Sequence, residues 1–445
     1  MSAMQKGCYW AFLLFVFYLP FPLGGNRPWL WSINEIWLSG LILATLFCFS
    51  FSQWRDAILR VKWLFTPLLL FTLWTALQYF AVGLTDLSWV ASVDPAQTWI
   101  QLLKTLSYLW LVMLAGLFIT THKQLTQLAY VMILSGVLQG FYGAFLVLAQ
   151  IDPTPVFSLP LNSRAAGSFV YHNHLANFLM LTLCLGFGLL VSQLQHGQHQ
   201  NLKQAMAQFF ATFLTTKALI RMALIIMVIA LVLTRSRMGN TAFFSALTLG
   251  SLLLLVVYKN KPKSLYILVG SIFVIDTVIV STWFGLDKVK ERLVATNLDA
   301  ETRDNVVRFA LNAIEQRPMS GYGAGSFYSE FQRFNEHGIY LFYDHAHNEY
   351  IQFLFESGLI GTTLLGLAIV IALMVSTQQF IKREDPLVKG IALACVMTIV
   401  GMLIHISVDF PLQAPATTCY FLLILSIALV LPSIHQRKRK KRSVD

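Results

Sequence analysis

Charged residues are scarce in this 445-residue sequence, in which Asp, Glu, Lys and Arg together account for only 12% of positions. Hydrophobic residues account for 56%, and the mean hydropathy is +0.64. Because soluble domains carry about 25% charged residues, this balance excludes a soluble globular protein. The composition instead predicts a protein that is largely embedded in lipid.

Cysteine is also rare, and its placement excludes two further classes. The five cysteines lie in or beside apolar stretches, at spacings typical of neither a disulfide framework nor a zinc site. We therefore expect them to be core residues.

Apolar stretches long enough to cross ~30 Å of hydrocarbon recur along the chain. They predict an all-α polytopic membrane protein of about 12 transmembrane helices, and the absence of an internal repeat or low-complexity linker predicts a single membrane domain over residues 1–445. The predicted spans are 8–24, 33–52, 63–82, 99–120, 126–148, 173–193, 219–234, 241–258, 264–284, 351–377, 388–408 and 416–434.

The distribution of Lys and Arg predicts that both termini are cytoplasmic, since most of these residues fall in segments on that side. The basic tail 435–445 fits an anchor at anionic lipid better than a nucleic-acid site. We expect membrane lipid as a partner and no nucleic acid. The long polar loop 285–350 then lies outside, where we expect it to carry part of an active site.

Arg303 stands out within that loop. Residues 300–316 are predicted to form a helix with Asp299 as its N-cap, and Arg303 falls on the apolar stripe of that helix. An arginine on an inward-facing stripe either pairs with a distant carboxylate or is available to an anion. Both alternatives remain open from the sequence.

Arg235 and Arg237 follow the predicted span 219–234 and emerge on the same side as the loop. Outward-facing cations run against the usual charge bias, and an anionic substrate would explain them. The alternative is interfacial snorkelling of long side chains.

Two histidines precede the span 351–377. Asp344 is predicted to cap its helix, which would put His347 in the first turn, where the positive end of the helix dipole disfavours imidazolium. A histidine that stays neutral near pH 7 can serve as a general base. A zinc site with His345 and a structural histidine are the alternatives, although no third zinc ligand lies nearby.

Two further features are less specific. The run Gly321–Gly325, called the glycine turn below, lacks the Gly-Lys-Ser/Thr of a phosphate loop and predicts a tight turn. His405 and Asp409 are spaced i, i+4 and can share a helix face near the outer surface. Such polar residues at membrane depth keep a transporter among the alternatives.

These residues fall within short motifs that occur in a characteristic order. By them the chain resembles, over essentially its whole length, the bacterial O-antigen ligase and polysaccharide polymerase superfamily of integral-membrane glycosyltransferases. The matching pieces are Gly24–Trp29, Arg164–Ala176, Ser236-Arg237, Arg303 with Pro318 and the glycine turn, His347–Gly358 and His405–Ala416.

The resemblance implies a C-type glycosyltransferase that moves a glycan from undecaprenyl diphosphate to an acceptor hydroxyl, at the periplasmic face of the bacterial inner membrane. It implies no cofactor and no metal, which agrees with the lack of paired carboxylates in the outer loops. By similarity, His347 is the catalytic base and Arg237 and Arg303 hold the donor diphosphate. Further donor-binding candidates are Arg235 and Arg164, and the supporting candidates are His345, Asn348, His405 and Asp409.

The acceptor is not determined by these motifs. A ligase would join the glycan to lipid A core sugars, whereas a polymerase would use a second undecaprenyl-linked repeat unit and extend a growing polysaccharide. We favour the ligase. A transporter of a small anion is the alternative from a different class, and it would predict inverted repeats and helices broken at mid-membrane.

Overall fold

The computed structural model describes residues 1–193, 216–257, 303–334 and 342–434, together with Tyr266 and Gly270. In these residues the regular structure is helical. The helices are α1 (Ala3–Tyr18), α2 (Pro28–Cys48), α3 (Phe51–Phe80), α4 (Pro95–Phe118), α5 (His122–Leu148), α6 (His172–Ser192), α7 (Thr216–Leu233), α8 (Arg237–Val257), α9 (303–316), α10 (Phe327–Glu330), α11 (Glu349–Lys382), α12 (Pro386–His405) and α13 (Pro415–Val430).

The prediction of an all-helical, multi-pass membrane protein is confirmed. Within the described ranges, nine helices are long and apolar enough to cross a membrane, and Ala218–Leu233 is a shorter apolar helix. Eleven of the predicted spans overlap one of these helices or α1. The predicted span 264–284 and the basic tail 435–445 lie outside the described residues, so the count of twelve and the orientation stay predictions.

The start of α3 differs from the sequence prediction of a span at 63–82. The helix begins at Phe51, where Ser50 and Gln53 form a reciprocal capping box. Its first turns carry Arg55 and Arg60, and these charges hide the helix from a hydropathy window. The Arg60 guanidinium donates to the Gly116 carbonyl of α4 at 3.0 Å, which satisfies this charge locally.

The helices α6, α12 and α13 form the centre of the bundle and are its most buried spans. By contrast, fewer than half of the residues in the apolar parts of α2, α3 and α11 are buried, as expected of helices that face lipid rather than water. A second, smaller core lies at one end, where α9 and the segment after it pack on the first part of α11. Its buried side chains include Val306, Phe309, Tyr322, Phe327 and Phe355.

The two ends of the bundle are defined by contacts between loops. At one end, called the site end below, the Ala165 N–H donates to the Leu233 carbonyl at 2.9 Å, and so joins the loop before α6 to the end of α7. At the opposite end, the His122 imidazole and the Asp385 carboxylate lie 3.0 Å apart. The predicted outer residues at 164, 235, 237, 303, 345, 347 and 409 all belong to segments at the site end.

Candidate active site

The turn between α12 and α13, residues 406–414, organises the site end. Asp409 in this turn accepts a hydrogen bond from the Asn173 amide of α6 at 2.5 Å. The backbone N–H of Glu349, the first residue of α11, donates to the Ile406 carbonyl at 2.9 Å. The starts of α6 and α11 are therefore held against one short turn, although they are far apart in the sequence.

Phe410 lies at the centre of a cluster of four other rings. The His345 imidazole stacks on it with ring centroids 4.4 Å apart, and the Tyr171 ring is parallel to it at 5.6 Å. The rings of His347 and His174 meet it edge-on at 4.7 and 5.2 Å. Because one phenyl ring contacts both histidines of the 342–348 segment, it fixes their positions relative to each other.

Asn348 caps α11, so the predicted N-cap at Asp344 is wrong. The Asn348 side chain accepts hydrogen bonds from the backbone N–H groups of Tyr350 and Ile351 at 3.1 and 3.3 Å. His347 therefore precedes the cap instead of lying in the first helical turn. The Asn348 side chain has a structural role in this arrangement, since its amide oxygen satisfies the open end of the helix.

The His347 backbone has a φ of 49°, in the left-handed region that non-glycine residues rarely adopt. Its Nδ1 atom is buried and has no hydrogen-bond partner among the described residues. Strained backbone and unpaired buried nitrogens are both concentrated at functional sites. Burial, followed by the charge of Arg303, lowers the pKa of His347 to about 4, so the imidazole is neutral near pH 7.

Arg303 is the first described residue of α9, and it is exposed, which corrects its predicted position on an inward stripe. The helix buries Val306, Phe309 and Ala310 instead. The predicted N-cap of this helix, Asp299, is outside the described residues. The charge of Arg303 acts on the His347 imidazole and the Tyr171 hydroxyl, whereas no carboxylate in the described part of the chain pairs with it.

Arg164 approaches the same tyrosine from the loop between α5 and α6. Its guanidinium lies 3.2 Å from the Nε2 atom of His172. Burial and the Asp409 charge raise the pKa of Tyr171 to about 12, while Arg303 and Arg164 oppose this rise. The charges of two arginines therefore act on one phenol, from segments separated by more than a hundred residues.

Arg235 lies in the turn between α7 and α8, Arg237 is the first residue of α8, and both are exposed. The backbone hydrogen bond from Ala165 to Leu233 brings this turn next to the loop that carries Arg164. Within the described ranges, neither arginine pairs with a carboxylate. Among the described residues, neither arginine has a hydrogen bond or an ion pair with His347.

The start of α8 is fixed by close packing on α6. The Ser236 hydroxyl accepts a hydrogen bond from the Gly239 N–H at 3.1 Å. A Cβ atom at Gly239 would lie 2.5 Å from the Ala176 side chain, so only glycine permits this approach. The contact holds the first turn of α8, and with it Arg237, beside the first turns of α6.

His405 and Asp409 are brought together, as their i, i+4 spacing predicted. The His405 Nε2 atom lies 3.8 Å from the Asp409 carboxylate, and its Nδ1 atom is 2.9 Å from the Asn177 amide. Burial opposes ionisation of Asp409, but the His405 and His174 imidazoles outweigh burial and hold the pKa of this carboxyl at about 2. Asp409 is therefore an anion that fixes the turn, rather than an acid catalyst.

The glycine turn packs into a break in α11. At Gly358 the φ is 62° and the helix is interrupted. The N–H groups of Tyr322 and Gly323 donate to the Phe355 and Glu356 carbonyls at 2.8 and 2.9 Å. The prediction of a tight turn is confirmed. Its backbone amides satisfy carbonyls released by the broken helix.

Two site residues were not recognised from the sequence. In the sequence, Phe410 is indistinguishable from an ordinary core aromatic residue. Tyr171 precedes an apolar span, and nothing in the spacing of the polar residues around it indicates a functional role. Only the fold shows that Phe410 contacts His345 and His347 and that Tyr171 lies parallel to Phe410. Their position inside the quoted motifs at 164–176 and 405–416 was the one signal that could have found them.

Comparison with known proteins finds a family match for the segment that contains most of the predicted site residues. Residues 222–366 match the family model described as O-Antigen ligase. This match supports the resemblance to the O-antigen ligase and polymerase superfamily. The matched segment carries Arg235, Arg237, Arg303 and His347, whereas the loops of Arg164 and Asp409 contact it only through the fold. The matched family is one of glycosyltransferase-like membrane enzymes. No curated protein matches the chain.

Proposed function

We propose that the protein transfers a glycan from undecaprenyl diphosphate to a hydroxyl group of the lipid A core, at the periplasmic face of the bacterial inner membrane. One observation carries this proposal. A neutral His347 with a strained backbone feels the charge of Arg303, which has no carboxylate partner among the described residues, at one end of a membrane bundle. Both residues lie within the segment that matches the O-antigen ligase family model. Such a pair suits attack by a hydroxyl and departure of an anion.

In the proposed reaction, the acceptor oxygen bonds to the anomeric carbon of the donor sugar. The bond between that carbon and the diphosphate oxygen breaks, and the diphosphate leaves with the electron pair. His347 takes the proton of the acceptor hydroxyl, through Nε2 because Nδ1 is buried. Arg303 and Arg237 bind the diphosphate oxygens, since guanidinium groups make bidentate hydrogen bonds to phosphate.

Binding of the donor would also adjust the base. Arg303 is one cause of the low pKa of His347. A diphosphate bound to this guanidinium would cancel much of its charge, so the pKa of His347 would rise toward the ordinary value near ~6.5. The imidazole would then become a better proton acceptor only when a donor is present.

The arginines also explain why the proposed reaction needs no metal ion. Arg164 and Arg235 add positive charge around the proposed diphosphate site, which is the role that divalent cations fill in many phosphate-transfer sites. We propose that these four side chains replace a metal, and that the enzyme needs no cofactor.

The break in α11 bears on the transporter alternative, which predicted broken helices. In transporters the released carbonyls coordinate the transported ion. Here Trp74 donates to the Ser357 carbonyl at 3.0 Å, and Gln78 donates to the Glu356 carbonyl at 3.1 Å. Because these carbonyls already have protein partners, the break favours a structural role over an ion path.

Complementation in a bacterium that lacks its own O-antigen ligase tests the proposal. The wild-type chain should restore capped lipopolysaccharide on a gel, and His347→Asn should not, at equal membrane abundance. Asn is chosen because it tolerates the left-handed backbone. Absence of capping, with altered chain length of undecaprenyl-linked glycan, would replace the ligase by the polymerase. No change in either product would overturn the glycosyltransferase.

A further inference from the structure

A buried amide behind the histidine segment is not used by the mechanism above. Gln352 lies in the first part of α11 and makes three hydrogen bonds. Its Oε1 atom accepts from the Ala346 N–H at 3.2 Å, and its Nε2 atom lies 3.1 Å from both the His345 Nδ1 atom and the Glu356 Oε1 atom. A backbone N–H can only donate, so it identifies the amide oxygen and leaves both amide hydrogens for the other two partners.

The Ala346 N–H fixes this orientation, because the flipped amide would turn its NH₂ group toward that donor. In the observed orientation the NH₂ group instead donates to the Glu356 carboxyl group. Glu356 is itself held from behind by the backbone N–H groups of Gly325 and Phe327 and by the charge of Lys104. The glycine turn thus anchors the carboxyl group that orients the amide.

The amide in turn determines which nitrogen of His345 carries the proton. Nδ1 accepts a hydrogen bond from Gln352, so in the neutral ring the proton is on Nε2. Burial lowers the pKa of His345, with Asp344 of its own segment, Lys104 of α4 and Asp409 of the 406–414 turn also acting on it. Phe410 covers one face of the ring.

His345 is half-buried, and among the described residues only its Nδ1 atom has a hydrogen-bond partner. Its Nε2–H is therefore a donor without an acceptor in the part of the chain that the structure describes, on a ring that contacts the same phenyl group as His347. An uncharged donor at this position suits an anionic oxygen, to which N–H hydrogen bonds are strongest.

We propose that Gln352 is a positioning residue that holds His345 as a neutral Nε2–H donor to an oxygen of the donor diphosphate. This inference rests on the proposed function. His345 would contact the leaving group, His347 would take the acceptor proton, and Gln352 would act only through His345. The two histidines, which differ by two positions in the sequence, then have opposite hydrogen-bonding roles.

The test uses the purified full-length chain in lipid nanodiscs, with an undecaprenyl diphosphate-linked oligosaccharide and lipid A core as substrates. Gln352→Met removes the donor to Nδ1, and Gln352→Glu replaces it with an acceptor that favours a proton on Nδ1. Both should lower kcat/KM by about 10- to 100-fold, as loss of an orienting partner typically does. The thermal unfolding temperature reports whether the variants are folded.

A second background separates positioning from a structural role. Gln at position 345 presents its own N–H group near the location of Nε2, independently of residue 352. His345→Gln should therefore retain part of the activity, and Gln352→Met should have little further effect in that background. Equal losses in both backgrounds would show that Gln352 only supports the fold and would overturn the inference. Wild-type activity of both Gln352 variants would also overturn it, whereas an inactive wild-type chain would instead refute the proposed function.

Discussion

Cations at the two ends of the bundle differ in their partners, as Arg383 and His122 at the opposite end and the arginines at the site end show. At the opposite end, Arg383 donates to the Pro432 and Leu431 carbonyls at 2.6 and 3.3 Å, and His122 lies 3.0 Å from Asp385. At the site end, the four arginines at 164, 235, 237 and 303 have no carboxylate partner in the ranges that the structure describes. Arg383 and His122 thus have partners within the fold, whereas these four arginines have no ion-pair partner among the described residues.

This contrast distinguishes a structural cation from a ligand-binding one, which a count of charges cannot do. A cation that closes a helix end contributes to stability, and its partners are backbone carbonyls or a nearby acid. A cation that neighbours a strained histidine, without a carboxylate partner, is better explained by an anionic ligand. The bias of positive charge to one side of a membrane predicts the first group and leaves the second unexplained.

The largest expected effect on activity comes from substituting the site-end arginine when one arginine is replaced at each end. Arg303→Gln should lower kcat/KM for glycan transfer by about 10² to 10³-fold, because it removes a charge that stabilises the leaving diphosphate. Arg383→Gln should leave kcat/KM near the wild-type value. Steady-state rates of the two variants in nanodiscs provide the measurement. Similar losses in both would mean that the two ends are not functionally distinct.

A smaller effect is expected in the pH dependence of the wild-type enzyme. A base acts in its neutral form, so activity should fall as the pH drops through the pKa of His347. The acid limb of kcat/KM reports the free enzyme and should lie near the pKa of about 4. The acid limb of kcat should lie at higher pH, because the bound diphosphate offsets Arg303.

Arg303→Lys provides the control for this pH effect, since it keeps the charge and should keep the separation between the two limbs. Arg303→Gln removes the charge, so the pKa of free His347 should rise and the limbs should converge. Coincident limbs in the wild-type enzyme would argue against a base whose strength depends on the bound donor.

The smallest effect is expected at the opposite end. Asp385 caps α12 by accepting from the Leu387 and Val388 N–H groups at 3.1 and 3.0 Å, and it also pairs with His122. Asp385→Ala should lower stability by about 1 kcal/mol, the usual effect of losing an N-cap. Asp385→Asn should lower it less because Asn retains the cap. Thermal unfolding in detergent is the measurement, and a loss of activity per folded molecule would contradict a purely structural role.

Local sequence was sufficient for much of the fold. Apolar stretches predicted helices at eleven of twelve positions, with the twelfth, 264–284, outside the described residues. Prediction from local sequence was wrong at the start of α3, where charged residues lie within a helix, and at the N-cap of α11. Asp344 and Asn348 are both good N-caps, and only the geometry of the segment after Tyr343 selects Asn348.

The features of the candidate site likewise divide into those that the sequence determined and those that depend on the tertiary structure. The sequence by itself determined that this is a multi-pass membrane protein with unexplained outward arginines and a histidine pair near a helix start, because composition and short motifs report residue types and lipid solubility. Tertiary structure decided that Phe410 joins His345 to His347, that the charges of Arg303 and Arg164 act on Tyr171, and that Gln352 contacts His345. These relations connect residues up to 132 positions apart, such as Tyr171 and Arg303. No local pattern encodes them, because helix packing alone brings such distant turns to one end of the bundle.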